Sequence, residues 1–428
     1  MAHRVFWLAC FVTLSSLGGV PALAQEARLA ELTQRASSGN PQALLELGVA
    51  QRRAGRFDEA IATLRRASHG RGGTEQATFE LARVFFDKGD YRGARNVCNT
   101  VMRVSKRGPL GHNCMGLTYL VWRRSSPATA EFDQTLAAEP QNAIALYGKA
   151  EASRMLMQAG EAEALYRQAI SAGPSEYFPQ LGLGILLADT NRARDAATAL
   201  RRATELAPDE PEPHLRLGRV LGRGAEAIAE LEKAVAIRPR WAEAQLELGS
   251  ALLASNQAQP ALAKFQEAIR LEANLGAAHE GVGLAMFAIG GQDEAAEAAL
   301  RHALELVPNL PRAVFTIAEI QARTNRVDAA AETFRQASDL MRGDPTPLCR
   351  AGEILRDRGR LTVAIGFFQR ALAISPNLSR AHLALGDIYW DRRDWSRART
   401  SYEAALRAGL TGRDQTRVRE RVTRLRTL

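Results

Sequence analysis

The feature that most constrains this chain is an internal period. Leu47-Gly48, Leu183-Gly184, Leu217-Gly218, Leu248-Gly249 and Leu385-Gly386 can be aligned with the glycine at position 8 of a unit. The units then start at residues 41, 75, 109, 143, 177, 211, 242, 276, 311, 345 and 379. We number them R1 to R11. They are 34 residues apart, except that R6 lacks three residues around Gly222-Arg223-Gly224 and R8 gains one at Gly290-Gly291. Position 8 is Gly in eight units and Ala in Ala82, Ala150 and Ala318, and position 20 is Ala in all eleven. Position 27 is Ala in nine, with Val101 and Thr135 the exceptions. Position 24 is aromatic in six (Phe132, Tyr166, Phe265, Phe334, Phe368, Tyr402), and Pro fills position 32 in six.

Positions 4, 8 and 11 share one helical face, as do 20, 24 and 27. Small residues at 8, 20 and 27 let two helix axes approach, and the larger side chain at 24 fills the space beside them. Pro at 32 stops the second helix, and Gly55, Gly89, Gly290 and Gly359 mark the tight turn inside units. Each unit is therefore a helix–turn–helix that buries its apolar face only by stacking on neighbours. With 428 residues the chain is too long for one ordinary core, but an array grows without enlarging its core. Aromatic residues make up only 6% of the chain, which disfavours a sandwich or barrel of aromatic-rich strands. The expected fold class is all-α.

This pattern resembles the tetratricopeptide-repeat family over residues 41–410, although the family's early Trp is replaced by other residues. The resemblance implies an α-solenoid of about eleven repeats wound as a right-handed superhelix, first helices lining the concave face. First-helix positions 2, 5, 9, 12 and 13 commonly face the groove in the family. Here they supply Phe79, Phe86, Leu117, Leu120, Tyr147, Phe178, Leu181, Ile185, Phe287 and Phe315, with Arg219 and Arg223, beside Arg216, as a basic patch at the irregular R6. An apolar lining with scattered charge suits a peptide or partner helix. None of the position 9 residues is Asn, so the family's carboxylate clamp and its glycosyltransferase-linked Asn ladder are both absent.

The ends read differently. Residues 1–24 have a short basic start, an apolar stretch from Val5 to Leu17 and a small-x-small site at Ala22-Leu23-Ala24, which is a secretory signal pattern. Residues 25–40 form a leading helix and linker, with the helix over 26–36. Residues 411–428 form a capping helix with Val418, Val422 and Leu425 on one face and Arg413, Arg417, Arg419, Arg421, Arg424 and Arg426 crowding the other. No later segment reaches about 18 unbroken apolar residues, so the mature chain is expected to have no membrane span. The chain carries a formal +9, and only five of its 56 basic residues are Lys. This Arg- and Ala-rich composition points to a high-GC bacterium and, with the leader, to a periplasmic or secreted protein. The acidic middle between basic ends does not suit one nucleic-acid groove.

Three cysteines follow the leader. Cys98 lies near the end of its helix and Cys114 near the start of the next, so either a bridge or two buried thiols fits. His112, His214, His279 and His382 share position 4, which reads as packing rather than metal ligation. No catalytic motif or cofactor loop stands out, so neither catalytic residue, metal nor cofactor is expected. The expected function is a non-enzymatic scaffold that binds a protein or peptide in an envelope, export or assembly complex. The alternative is a polyanion or anionic-membrane binder acting through the Arg-rich end. The oligomeric state is not readable.

Overall fold

The computed structural model describes residues 20–69, 75–105 and 107–425, with side chains from residue 26 onward. Among the described residues there are 24 α-helices and no strand. The chain divides into two compact bodies, residues 1–257 and 258–428.

The first body holds α1 (Val20–Ala36), then α2 (Pro41–Arg53), α3 (Phe57–His69), α4 (Glu75–Lys88), α5 (Tyr91–Val104), α6 (Pro109–Val121) and α7 (Ser125–Ala138). It continues with α8 (Ala143–Met155), α9 (Ala159–Ala172), α10 (Tyr177–Asp189), α11 (Ala193–Leu206), α12 (Pro211–Leu221), α13 (Ala225–Ile237) and α14 (Ala242–Ala254). The second body holds α15 (Ala258–Leu271), α16 (Gly276–Ile289), α17 (Asp293–Leu306), α18 (Pro311–Arg323), α19 (Val327–Leu340), α20 (Thr346–Asp357), α21 (Leu361–Ile374), α22 (Ser379–Asp391), α23 (Trp395–Arg407) and α24 (Gly412–Leu425). From α2 to α23, even numbers are first helices of a repeat and odd numbers second helices.

The small-residue positions set the spacing. All eleven alanines at position 20 are fully buried, and the position 24 side chains beside them (aromatic, Leu or Cys98) are 0–1% exposed. Position 8 of the same repeat presses on position 24. A Cβ added to Gly218 would lie 2.4 Å from Leu231 Cγ, and one on Gly386 would lie 2.4 Å from Tyr402 Cδ1. Position 6 of the following repeat presses on the same side chain from the other side. Gly148 meets Phe132, Gly182 meets Tyr166, and Gly281 meets Phe265. One large side chain thus holds three helices together, and both faces that touch it stay small.

The turn inside each repeat is more regular than its glycines suggest. Position 15 is left-handed in every repeat of standard length, at Gly55, Gly89, Arg123, Met157, Asn191, Asn256, Asn325, Gly359 and Arg393. The N–H of position 16 then donates to the carbonyl of position 11, as in Arg192 to Leu187 at 2.8 Å and Asp394 to Tyr389 at 2.9 Å. This six-to-one closure satisfies carbonyls that a helix end leaves open. In R6 the missing residues come from the end of the first helix, so α12 is 11 residues long and Gly222 (φ +71°) and Gly224 (φ +91°) make the turn. The extra residue of R8 sits in a Gly290-Gly291 turn, both with positive φ.

In the first body consecutive first helices touch one another from α2 through α14, whereas consecutive second helices do not pack to a similar extent. The row therefore bends with its first helices inside. It bends far enough for α1 to pack on α13. α1 starts at Val20, ahead of the expected end of the leader, and the remainder of that expected leader lies outside the described residues. In the second body α24 covers the last repeat with Val418, Val422 and Leu425, each at most 6% exposed. No described helix is long and apolar enough to cross a membrane.

Candidate functional site

The inner face of the first body is built from groove-phase residues, and much of it is occupied by the protein's own side chains. Arg52, Arg53, Arg83 and Asp87 stand at positions 12, 13, 9 and 13 of R1 and R2. The Arg52 guanidinium, 4% exposed, donates from Nη2 to Glu210 Oε1 at 2.7 Å and from Nη1 to Asp87 Oδ2 at 2.8 Å. Arg53 Nε reaches the same Glu210 oxygen at 2.9 Å, and Arg28 meets Asp209 at 2.8 Å. Arg238 Nε points to the Arg53 carbonyl (3.4 Å), its guanidinium lying over Trp241 and Phe57. Arg83 bridges Glu80 at 2.9 Å and Tyr177 Oη at 3.1 Å, from α4 to α10. The Arg52–Glu210 contact thus fastens the first repeat to the end of the fifth, at the N-cap of α12, across 158 residues of sequence. Burial opposes the charge on Glu210, but Arg52, Arg83 and Arg53 outweigh it and hold its carboxyl below the usual range. Burial opposes the Arg52 charge too, as does Arg83, and Glu210, Asp87 and Glu80 outweigh both.

These contacts change the reading of the expected groove. Phe79 is 5% exposed and packs with Ala82, Val101, Met115 and the Cys98–Cys114 pair, so it belongs to the core rather than to a lining. Phe86, Leu117, Tyr147 and Phe178 are half-buried. Tyr147 and Phe178 meet edge-to-face at 5.1 Å, and burial pushes the Tyr147 hydroxyl well above its ordinary pKa. The expected basic patch at R6 is neutralised. Arg216 binds Glu212 at 2.7 Å, and Arg219 lies 3.6 Å from Glu243 and 3.5 Å from Glu247. Arg223 is exposed in the R6 turn. A cavity of ≈ 690 Å³ lies at the closure, between α1, α2 and α13, with Leu32, Val49 and Ile237 inside and Arg35 and Lys233 among its charged residues.

In the second body Phe287 and Phe315 are half-buried. Arg323 lies over the Phe287 ring at 4.4 Å, and Phe315 meets Phe334 edge-to-face at 5.4 Å. Position 9 is acidic in three successive repeats, and each carboxylate is answered by arginine from the next helix but one. Arg350 binds Glu319 at 2.7 Å and Glu353 at 3.0 Å, Arg380 also pairs with Glu353, and Arg417 and Arg421 bind Asp387 at 3.0 and 2.7 Å. Two arginines of the basic C-terminal face therefore point inward. Tyrosine replaces phenylalanine at position 24 where it reaches a position 9 carboxylate of its own repeat, Tyr166 to Glu151 and Tyr402 to Asp387.

The position 4 residues do more than pack. Nε2 of His214, His279 and His382 donates to the carbonyl six residues earlier, at Pro208, Ala273 and Pro376, over 2.9–3.0 Å. Gln245 does the same to Pro239 at 3.2 Å, and His112 bonds Glu131 instead at 2.7 Å. Position 4 thus closes the turn between repeats, which the phase alone did not reveal. Cys98 and Cys114 are joined by a disulfide. Cys98 holds position 24 and Cys114 position 6 of the next repeat, so the bond replaces the aromatic-on-glycine contact found further along. Cys349 is buried and reduced, its thiol pushed up to about 11 by burial and by Glu353. Among the described residues no group of three or more His, Cys, Asp or Glu is placed to hold a metal.

A family model described as tetratricopeptide repeat matches residues 22–73, 119–177 and 181–242. A second, described as the C-terminal domain of cilia and flagella-associated protein 70, matches residues 214–421. No curated protein matches the chain. Among solved structures the MamA protein is 23% identical, covering 38% of this chain and 91% of its own, with a TM-score of 0.35. Yeast Tom70 is 13% identical, with 90% and 96% covered and a TM-score of 0.43. The Cut9–Hcn1 assembly of the APC/C is 13% identical, with 91% and 98% covered and a TM-score of 0.41. The eleven helix pairs, their shared buried positions and the matched repeat model agree: the chain is a tetratricopeptide-repeat protein.

Proposed function

We propose that this protein is a non-enzymatic scaffold that holds a protein or peptide partner on the first-helix faces of its repeats. One observation carries the reading: half-buried apolar side chains at groove phases recur on successive first helices within each body, Leu117, Tyr147 and Phe178 on α6, α8 and α10 of the first and Phe287 and Phe315 on α16 and α18 of the second. Such a row offers alternating pockets to an extended segment or to one face of a helix. The test is affinity capture with the full chain and a variant carrying Leu117→Ala, Phe178→Ala, Phe287→Ala and Phe315→Ala, followed by cross-link mapping of whatever is retained. A partner cross-linked to first helices and lost by the folded variant supports the reading. A partner retained equally by both, or cross-linked only to second helices, removes it. The polyanion reading of the Arg-rich end is tested beside it, since salt-sensitive capture lost on deleting 412–428 would favour that end.

The setting we propose is an exported one, periplasmic or secreted in a bacterium, in an envelope, export or assembly complex. The leader pattern of residues 1–24 and the Cys98–Cys114 bond support it, because such bonds persist in oxidising compartments. The match of 214–421 to a cilia and flagella-associated domain favours a second setting, a ciliary assembly. Intact mass and thiol count of the protein from its source separate the two. Loss of the leader with one free thiol favours export, and an uncleaved chain with reduced Cys98 and Cys114 favours the other.

A further inference from the structure

Residues 91–130 contain seven basic residues, Arg92, Arg95, Arg103, Lys106, Arg107, Arg123 and Arg124, and neither Asp nor Glu. The acids that bound this stretch are already engaged. Asp90 caps α5 by accepting from the Gly93 N–H at 2.9 Å, and Glu131 accepts from His112. Several other second helices pair some of their arginines with local acids, although exposed arginines such as Arg65, Arg66, Arg194, Arg370, Arg399 and Arg407 have none among the described residues. Arg167 pairs with Glu163 at 2.6 Å, Arg201 with Glu226 at 2.7 Å, Arg202 with Glu205 at 2.8 Å and Arg301 with Glu297 at 2.6 Å. What sets α5 apart is that it carries three arginines and no acid of its own. Arg92, Arg95 and Arg103 are exposed, opposite the buried Ala94, Cys98 and Val101, and are spaced so as to follow one side of the helix. Arg95 lies over the Trp122 ring at 5.3 Å, and Arg103 meets only the Thr100 hydroxyl. None of the three has a carboxylate partner among the described residues, and neither has Arg107. Arg103 and Arg107 converge on a shallow cavity of ≈ 610 Å³ completed by Asn99 and Met102.

From this geometry we infer that the outer face of α5, with Arg107 beyond its end, docks on an anionic phospholipid surface. The charge calls for an anion, because cations held without local acids keep their full attraction for one. The apolar residues choose among anions. Val104 is 55% exposed and Tyr91 42% exposed, one at each end of the same helix. A lipid headgroup region accepts both, since it takes apolar side chains beneath the phosphates and aromatic ones among them. A soluble polyanion covers neither. The proposed site is distinct from the Arg-rich C-terminal helix, where Arg417 and Arg421 are already bound to Asp387. It also lies on a second helix, so it leaves the first-helix face open for a partner.

The test is flotation of the full chain with vesicles of phosphatidylglycerol and phosphatidylcholine in equal parts, against phosphatidylcholine alone, at low and high salt. Heparin serves as the soluble polyanion. The expected result is binding to the anionic vesicles about tenfold or more above the neutral ones, falling as salt rises. Arg92→Gln/Arg95→Gln/Arg103→Gln/Arg107→Gln removes that preference, and the smaller Arg103→Gln/Arg107→Gln pair removes about half of its logarithm. Arg413→Gln/Arg419→Gln on α24 leaves it intact. Val104→Ser weakens vesicle binding several-fold and does not alter heparin binding. Melting curves confirm that each variant is folded. Equal binding to both vesicle types overturns the inference, as does loss with the α24 variant instead of the α5 variants. A Val104→Ser chain that binds vesicles as tightly as the native one makes the occupant a free polyanion and overturns the lipid assignment.

Discussion

The two bodies use the same repeat but hold it together over very different distances. In the second body the ion pairs described above join a helix to its neighbour or to the next repeat, from Glu319–Arg350 to Asp387–Arg421. In the first, Arg52–Glu210 and Arg28–Asp209 join residues 158 and 181 apart, and a disulfide staples R2 to R3. A row with only neighbour contacts loses stability locally, close to a sum of repeat and interface terms. A row fastened end to end shares each loss around the closure. The same helix–turn–helix therefore gives a graded stack in one place and a cooperative ring of six in the other.

The closure is where the comparison breaks most easily. Glu210→Ala leaves Arg52 buried without its main partner, at a cost of about 3–5 kcal/mol. Hydrogen exchange should speed up throughout α1, α2, α12 and α13 and stay unchanged in 258–425. Faster exchange confined to α12 would show that the ring does not share its stability. Acid tests the same group without mutation. The Glu210 carboxyl titrates below the ordinary range in the folded chain, so its contribution is complete above that range. It is lost as pH falls through the lowered value. Protection of the α1 and α2 amides, measured against the slower intrinsic exchange at low pH, should therefore fall on acidification, and Glu210→Gln should flatten that dependence.

Reducing the Cys98–Cys114 bond comes next. The two cysteines stand 16 residues apart in sequence. Closing a loop of that size is worth about 3 kcal/mol in the chain-entropy picture. The loss should appear in the denaturant midpoint of the first body, with no change in exchange over 258–425. An unchanged midpoint after full reduction would mean that the two sulfurs act only as packing.

A matched pair then compares the bodies directly. Gly218→Ala drives a Cβ against Leu231, and Gly386→Ala drives one against Tyr402, at the same 2.4 Å. Overpacking of this kind costs about 1–3 kcal/mol. The Gly386 variant should disturb only R10, R11 and α24, whereas the Gly218 variant should also loosen α1 and α2 through the closure. Equal spread in both would erase the distinction between stack and ring.

The fold was legible because its determinants are local and periodic. Positions 8, 20, 24 and 27 recur in every unit, and close packing leaves few residue types that fit them. The closure was not legible, because Arg52 and Glu210 look like any solvated helix charges until their distance in space is known. A signal existed: Arg52, Arg53, Arg83 and Asp87 all stand at groove phases, where a cluster of both signs is hard to leave in water-facing isolation. Phe79 was misplaced for a related reason, since its phase faces inward and the inward face of R2 is filled by neighbouring core. The neutral state of Arg219 was hidden because Glu243 and Glu247 come from the next repeat, whereas the partner of Arg216, Glu212, stands one turn earlier on the same helix.

The turn at position 15 offers the smallest and sharpest test. Glycine or asparagine adopts the left-handed backbone there at little cost, and they fill most repeats. The first body keeps Met157 at φ +60° and Arg123 at φ +55°, and the second keeps Arg393 at φ +59°. Met157 is 89% exposed, so its side chain contributes almost no packing to set against the strained backbone. Met157→Asn should raise stability by about 0.5–1 kcal/mol, read from the denaturant midpoint. Arg393→Asn should gain less, because Arg393 shares its turn with Asp394, whose carboxylate already caps α23 through the Arg397 N–H. If Met157→Asn stabilises exchange in R1 as well as in R4, the ring transmits gains as it transmits losses. If the gain stops at α8 and α9, the closure couples the first body only when its charges are broken.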